Sequence, residues 1–206
     1  MKVEVPEYTI EDRVEVDPER TALVIVDMQN DFVNPEGSLF VEEAPETVPV
    51  CARLLAFARE SGLTVFFTQD THYEGDPEFE IWPEHVKVGT WGWQIVPELE
   101  PGPNEIVFRK ARYDGFYGTA LDHEIRRRGI DTLIVCGTVA NICVHYTAAS
   151  AGLRWLKVIH PVDAVSAITE FDRHAALRQA SWLFQATLTR AAGITVKGEA
   201  GASRAG

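Results

Sequence analysis

"TALVIVDMQNDF", residues 21–32, decides how the rest of the chain is read. Ala22 to Val26 form an unbroken apolar run, the pattern of a strand buried on both faces. The run ends on a carboxylate, Asp27, and a second acid, Asp31, follows four residues on, with Met28, Gln29, Asn30 and Phe32 around them. A charge is costly to bury. Asp27 is therefore either a solvated strand end or a functional group, and the remaining sequence decides between the two.

The run is the first of a series that alternates with helical patterns. Strands are predicted at 22–27, 63–70, 104–110, 131–138, 154–161 and, briefly, around Ile194 to Val196. Helices are predicted at 46–62, 118–129, 141–152 and 172–188. Short β-branched runs separated by helices specify an α/β fold with a mainly parallel sheet covered on both faces. Residues 1–196 are expected to form one domain, and the small, polar tail 197–206 to be disordered. The segment 71–104 is too long for an ordinary connection. Its Tyr73, Trp82, Trp91 and Trp93 point to an ordered, ligand-facing excursion. A partner surface, such as that of a homo-oligomer, would explain this aromatic content equally well.

With 206 residues, the chain is long enough for one sizeable core. A net charge of −12 argues against nucleic acid, which needs a basic footprint. The one basic run, "IRRRG" at 125–129, sits at a predicted helix end, where cations complement the dipole. No apolar run approaches the roughly 20 residues of a membrane span, and the acidic N-terminus is unlike a signal peptide, so cytoplasmic residence is expected. Cys51, Cys136 and Cys143 are an odd set without CxxC spacing, neither a disulfide framework nor a thiolate zinc site. No GxGxxG or GxxxxGK[ST] loop marks a nucleotide site.

Ligands of open α/β sheets bind at the carboxyl ends of the strands. There this chain places Asp27, Asp70 and Lys110, and its fourth strand runs into "CGTVANICV" with Cys143. Each has a bland explanation alone; together on one sheet edge they describe a covalent acyl-transfer site. Cys143 falls in the first turn of a predicted helix, whose dipole lowers thiol pKa, and Lys110 would favour the thiolate further. Asp27 could take the thiol proton and return it to a leaving amine. The turn before the helix offers N–H groups to an oxyanion. Cys51 and Cys136 read as core thiols. In the long loop, "TQDTHYEGDPEFEIWPEH" (68–85) offers Asp70, His72, Glu78 and His85 as ligands for Zn²⁺, Mn²⁺ or Fe²⁺. Glu74, Asp76 and Glu80 read as solvated acids.

These segments resemble the isochorismatase-like cysteine hydrolases, and among them the nicotinamidases most closely. "VDMQNDF" (26–32), "FRKARYDGFYGT" (108–119) and "CGTVANICVHYTAASA" (136–151) look like the three signature segments of that family, in its order. The likeness runs from about residue 20 to 196. It implies a three-layer sandwich with a six-stranded parallel sheet, a catalytic triad of Asp27, Lys110 and Cys143, and hydrolysis of a small-molecule amide. The nicotinamidase likeness implies conversion of nicotinamide to nicotinate and ammonia through a Cys143 thioester, as in pyridine nucleotide salvage. It further implies a divalent metal, zinc or else manganese or iron, on Asp70, His72 and His85. Glu78 stands where many members carry a further histidine. The metal would hold the ring nitrogen, with Phe32 and Trp82 sandwiching the ring and Tyr113 beside them. A cis peptide before Val139 is implied, aiming the N–H groups of Val139 and Cys143 into an oxyanion hole. Asn141 departs from the acid that many nicotinamidases carry two residues before the cysteine. Two alternatives stay open: a hydrolase of another small amide, such as a carbamoyl or ureido compound, using the same triad without a metal, and a non-catalytic binding module. Asp31 is read as a structural acid bonded to nearby backbone.

Overall fold

In the computed structural model, which describes residues 4–198, all six residues of the opening strand, Thr21–Val26 (β2), are buried. A shorter strand, Val14–Val16 (β1), precedes it. After the single turn Asn30–Val33 (α1), helix Ala44–Glu60 (α2) buries Val48, Cys51, Leu54, Leu55 and Ala58 at helical spacing. It ends at Gly62, whose φ of +73° suits a left-handed cap. Strands Thr64–Asp70 (β3) and Ile106–Lys110 (β4) lead to helix Leu121–Arg127 (α3) and strand Thr132–Thr138 (β5). Helix Cys143–Leu153 (α4), strands Lys157–Pro161 (β6) and Val165–Ser166 (β7), helix Glu170–Leu183 (α5), and strands Thr187–Thr189 (β8) and Ile194–Val196 (β9) complete the chain.

The main sheet runs β4-β3-β2-β5-β6-β8, with β7 added against β5 as a seventh strand. Its pairings are all parallel. The chain builds outward from β2 to β3 and β4, then crosses back to lay β5, β6 and β8 on the other side. Right-handed crossovers then put α2 on one face and α3, α4 and α5 on the other, which is the expected three-layer sandwich. The reversal falls between β2 and β5, and their carboxyl ends are where such sheets open a crevice. Gly137 of β5 is required there: its φ is +116°, and a β-carbon would lie 2.2 Å from the Val26 carbonyl oxygen.

Two predicted elements need correction. The predicted helix 172–188 ends at Leu183, and Thr187–Thr189 is instead the sixth strand along the main sheet. Gln185, at φ +55°, turns the chain between them. The predicted strand at 194–196 exists, but it pairs with β1 in a separate two-stranded sheet. Of the tail expected to be disordered, Lys197 donates its N–H to the Val16 carbonyl at 2.9 Å, and residues 199–206 lie outside the described residues. Among the described residues, no helix is long and apolar enough to cross a membrane.

His160 of β6 is buried, with Nδ1 2.9 Å from the Val135 carbonyl oxygen, and burial lowers its pKa to about 4. An unfolded histidine titrates near 6.5, so between these values the unfolded chain binds the extra proton. This contribution to stability is complete above about pH 6.5 and is lost as the pH falls toward about 4. Urea unfolding of the wild type and of His160→Gln checks this. The wild type is expected to lose about 2–3 kcal/mol more than the variant between about pH 7 and about pH 4.5.

Candidate active site

The residue after β2, Asp27, has φ +49°, a left-handed conformation that Asp adopts more readily than most residues. It is fully buried. Its Oδ1 accepts a 2.7 Å bond from the Thr68 hydroxyl, and its Oδ2 lies 2.7 Å from Lys110 Nζ. Lys110, the last residue of β4, also reaches Asp70 Oδ1 at 3.1 Å and Cys143 Sγ at 3.6 Å. Oxygens of Asp27 and Asp70 and the Cys143 sulfur all lie within 4.8 Å of one another. The chain thus brings the ends of four neighbouring strands to one point, joining the four groups read from their positions in the sequence. Thr138–Val139 is a cis peptide, as expected. Cys143 is the first residue of α4, so its N–H has no acceptor within the helix.

The electrostatics differ from the expectation for the thiol. Burial pushes Cys143 well above its usual range, and Asp27 and Asp70 add to this against the opposing effect of Lys110. This direction is opposite to that expected from the helix end and Lys110 alone, because desolvation outweighs one ammonium that two carboxylates already share. Burial also raises Asp27 in spite of Lys110. Burial alone would lower Lys110, but Asp27, Asp70 and Cys143 hold its ammonium well above its usual range.

Beside these groups, and sharing Asp70 with them, lies a second buried cluster, in which ligand atoms of Asp70, His72, Glu78 and His85 all lie within 4.8 Å of one another. His72 Nδ1 is 3.0 Å from Asp76 Oδ2, and His85 Nδ1 is 2.7 Å from the Pro83 carbonyl oxygen. With the ring proton on Nδ1 in both, each Nε2 presents a lone pair inward. His72 Nε2 lies 3.3 Å from Asp70 Oδ2 and 4.0 Å from Glu78 Oε1, and His85 Nε2 lies 3.9 Å from Asp70 Oδ2. His72 Nε2 is buried without a hydrogen-bond partner. Two imidazoles and two carboxylates turned toward one another fit a borderline divalent cation. Burial acts to lower both imidazoles; the carboxylates of Asp70, Asp76 and Glu78 overcome it at His72, while at His85 it prevails.

Four residues missed in the sequence support both clusters. Thr68 bonds Asp27, as described. Gln29 accepts from the Asp70 N–H at 2.8 Å and donates to the carbonyls of Asp70 and Trp93 at 2.9 and 2.8 Å. Asp76, read as solvated, has a side chain only 10% exposed. It is held at about 2 in spite of its burial by the Glu78 N–H, His72 and Arg112, the fourth of these residues. Its position before Pro77, capping a short turn, is a sequence signal that could have found it. Glu74 and Glu80 are exposed, as expected. Asp31 is a structural acid: it accepts from the N–H of Val86 at 2.7 Å and of Ser38 at 3.1 Å. Val86 has φ +38°, unusual for a β-branched residue, so Asp31 fixes the loop beside His85.

A cavity of about 200 Å³ joins the two clusters, lined by Phe32, Trp82, Tyr113, Ile142, Cys143 and Val139 together with Asp70, Glu78 and His85. The three aromatic residues expected at the substrate are therefore all at its wall, and Trp82 Nε1 donates to Tyr113 Oη at 3.0 Å. Among the described residues, no Lys or Arg lines the cavity. A larger cavity of about 750 Å³, around Leu153, Trp155 and Leu183, contains none of these groups.

Residues 21–192 match the isochorismatase domain. Among solved structures, N-carbamoylsarcosine amidase from Thermoplasma acidophilum is 38% identical, with a TM-score of 0.77 over 84% of this chain and 96% of that one. Nicotinamidase from Bacillus subtilis is 28% identical, with a TM-score of 0.79 over 83% of this chain and all (100%) of that one. Pyrazinamidase from Pyrococcus horikoshii, solved in complex with zinc, is 29% identical, with a TM-score of 0.75 over 86% and 98% of the two chains. The chain therefore belongs to the isochorismatase family and is one of its hydrolases.

Proposed function

We propose that the protein is a nicotinamidase, hydrolysing nicotinamide to nicotinate and ammonia. One observation carries this reading: the buried Asp70, His72, Glu78 and His85 cluster opens into the same small aromatic cavity as Cys143. A divalent cation held by these four residues would supply a Lewis-acid anchor for a ring nitrogen. Phe32, Trp82 and Tyr113 offer flat apolar surface to the ring.

The protein's own residues then divide the chemistry. Asp27, made more basic by burial, takes the Cys143 thiol proton as sulfur attacks the carboxamide carbon. The carbonyl oxygen gains negative charge and is received by the N–H groups of Val139 and Cys143. Asp27 returns the proton to the amide nitrogen, the C–N bond breaks, and ammonia leaves a thioester. Asp27 then deprotonates a water, which attacks the thioester and releases the carboxylic acid and the thiol. Lys110 keeps its charge throughout, balancing whichever of Asp27 and the sulfur is anionic.

A second reading, hydrolysis of an N-carbamoyl amino acid, draws on the 38% identity to N-carbamoylsarcosine amidase. Such a substrate carries a carboxylate, and among the described residues no Lys or Arg lines the cavity to receive it. Arg112 nearby is already bound to Asp76 and Glu78.

Ammonia release from nicotinamide and from N-carbamoyl amino acids separates the two readings, with nicotinamide expected as the substrate. Turnover of the carbamoyl compounds alone would overturn the proposal. Cys143→Ala should reduce turnover to background, and Asp27→Asn should reduce it by about 10²–10⁴-fold. Substantial activity in the Ala variant would sink the covalent mechanism. Removal of divalent metal by a chelator should abolish nicotinamide hydrolysis, and Zn²⁺, Mn²⁺ or Fe²⁺ should restore it.

Lys110→Met leaves Asp27 and Asp70 buried without a counter-charge and is expected to cost about 3–5 kcal/mol in urea unfolding. Adding Asp27→Asn should recover part of that loss.

A further inference from the structure

Asp76 and Arg112 lie outside the four-residue cluster, yet between them they touch two of its members. Asp76 Oδ1 accepts from the Glu78 N–H at 2.9 Å, capping the short turn Pro77–Glu80 that carries Glu78. Its Oδ2 lies 3.0 Å from His72 Nδ1. Both oxygens are 3.2 Å from Arg112 Nη1, and that nitrogen is also 3.7 Å from Glu78 Oε2. One carboxylate thus ties His72, just past β3, to the turn that carries Glu78 and to Arg112, two residues past Lys110.

We propose that Asp76 and Arg112 form a positioning bracket that sets how tightly the cluster holds a divalent cation. The proposal rests on the metal site of the preceding reading, not on its substrate. Asp76 fixes the His72 tautomer, so that Nε2 faces inward as a lone pair, and it makes the ring a stronger donor. Arg112 draws Glu78 Oε2 outward, which leaves Oε1 facing His72 Nε2 at 4.0 Å. Neither residue lines the cavity, so both act through the ligands and not on substrate. Asp76 has a further consequence: it neutralises Arg112, which would otherwise place a free positive charge beside a cation site.

Zn²⁺ affinity measured against a chromophoric chelator tests the bracket, with the thermal midpoint of each metal-free protein taken in parallel. Asp76→Ala should weaken Zn²⁺ binding about 10–100-fold. Asp76→Asn is the safeguard against simple unfolding, because Asn caps a helical turn as well as Asp does. It should keep the metal-free midpoint near that of the wild type and still lose affinity. Arg112→Gln should weaken binding as well. If Arg112 acted only as a like charge near the cation, its removal would tighten binding, and that result overturns the proposal. Unchanged affinity in Asp76→Asn overturns it too, as does a wild type that binds no divalent ion. A wild type that binds Zn²⁺ but does not hydrolyse nicotinamide would overturn the functional reading and leave the bracket standing.

Discussion

Lys110 is an ammonium buried at the carboxyl edge of a parallel sheet, with Asp27 at 2.7 Å and Asp70 at 3.1 Å. An uncompensated charge in such a place would cost several kcal/mol, so the three groups are tolerable only together. That requirement constrains the fold around them. Asp27 must leave β2 in a left-handed conformation to turn inward, and Asp70 must sit opposite Lys110 in the β3–β4 register, as it does. Gly137 must let β5 close on Val26 so that the following turn can deliver Cys143. The charged triplet is the reason the opening strand can end in a buried acid at all.

Asp70 joins the two halves of the site. One of its oxygens faces Lys110, and the other faces the imidazoles of His72 and His85. The four-residue cluster and the Cys143 sulfur are therefore held at a fixed offset by one short side chain. Gln29 and Asp31, both from the opening segment, clip the long loop onto this centre through Trp93 and Val86. Of the two acids in "VDMQNDF", Asp27 faces the sulfur and Asp31 holds the loop.

The parts legible in the sequence were those with short-range signatures. β2, β3 and β5 stand out because strands buried on both faces are continuous apolar runs, and their last residues then locate the site. The helix N-terminus at Cys143 was legible for the same reason. Thr187–Thr189 was not: it follows an amphipathic helix without a strong breaker, and only its pairing with β6 makes it a strand. β1 is too short to declare itself within an acidic segment. Asp76 was misread because its partners, His72 and Arg112, lie 4 and 36 residues away. The acidity of Cys143 was misjudged because spacing reveals a nearby ammonium and a helix end, but not the desolvation that outweighs them.

The raised thiol and the raised Asp27 are two aspects of one arrangement. A lysine beside a thiol acts to favour its ionised form. Here two carboxylates share that lysine and act against it at the sulfur. Burial raises Asp27 and Cys143 in the same direction. Raising Cys143 as the donor makes proton transfer to Asp27 costlier, and raising Asp27 as the acceptor offsets this, because both ionised forms are penalised by the same apolar surroundings and stabilised by the same ammonium. On the proposed mechanism, attack by Cys143 then depends on a substrate carbonyl that can receive the charge leaving the sulfur.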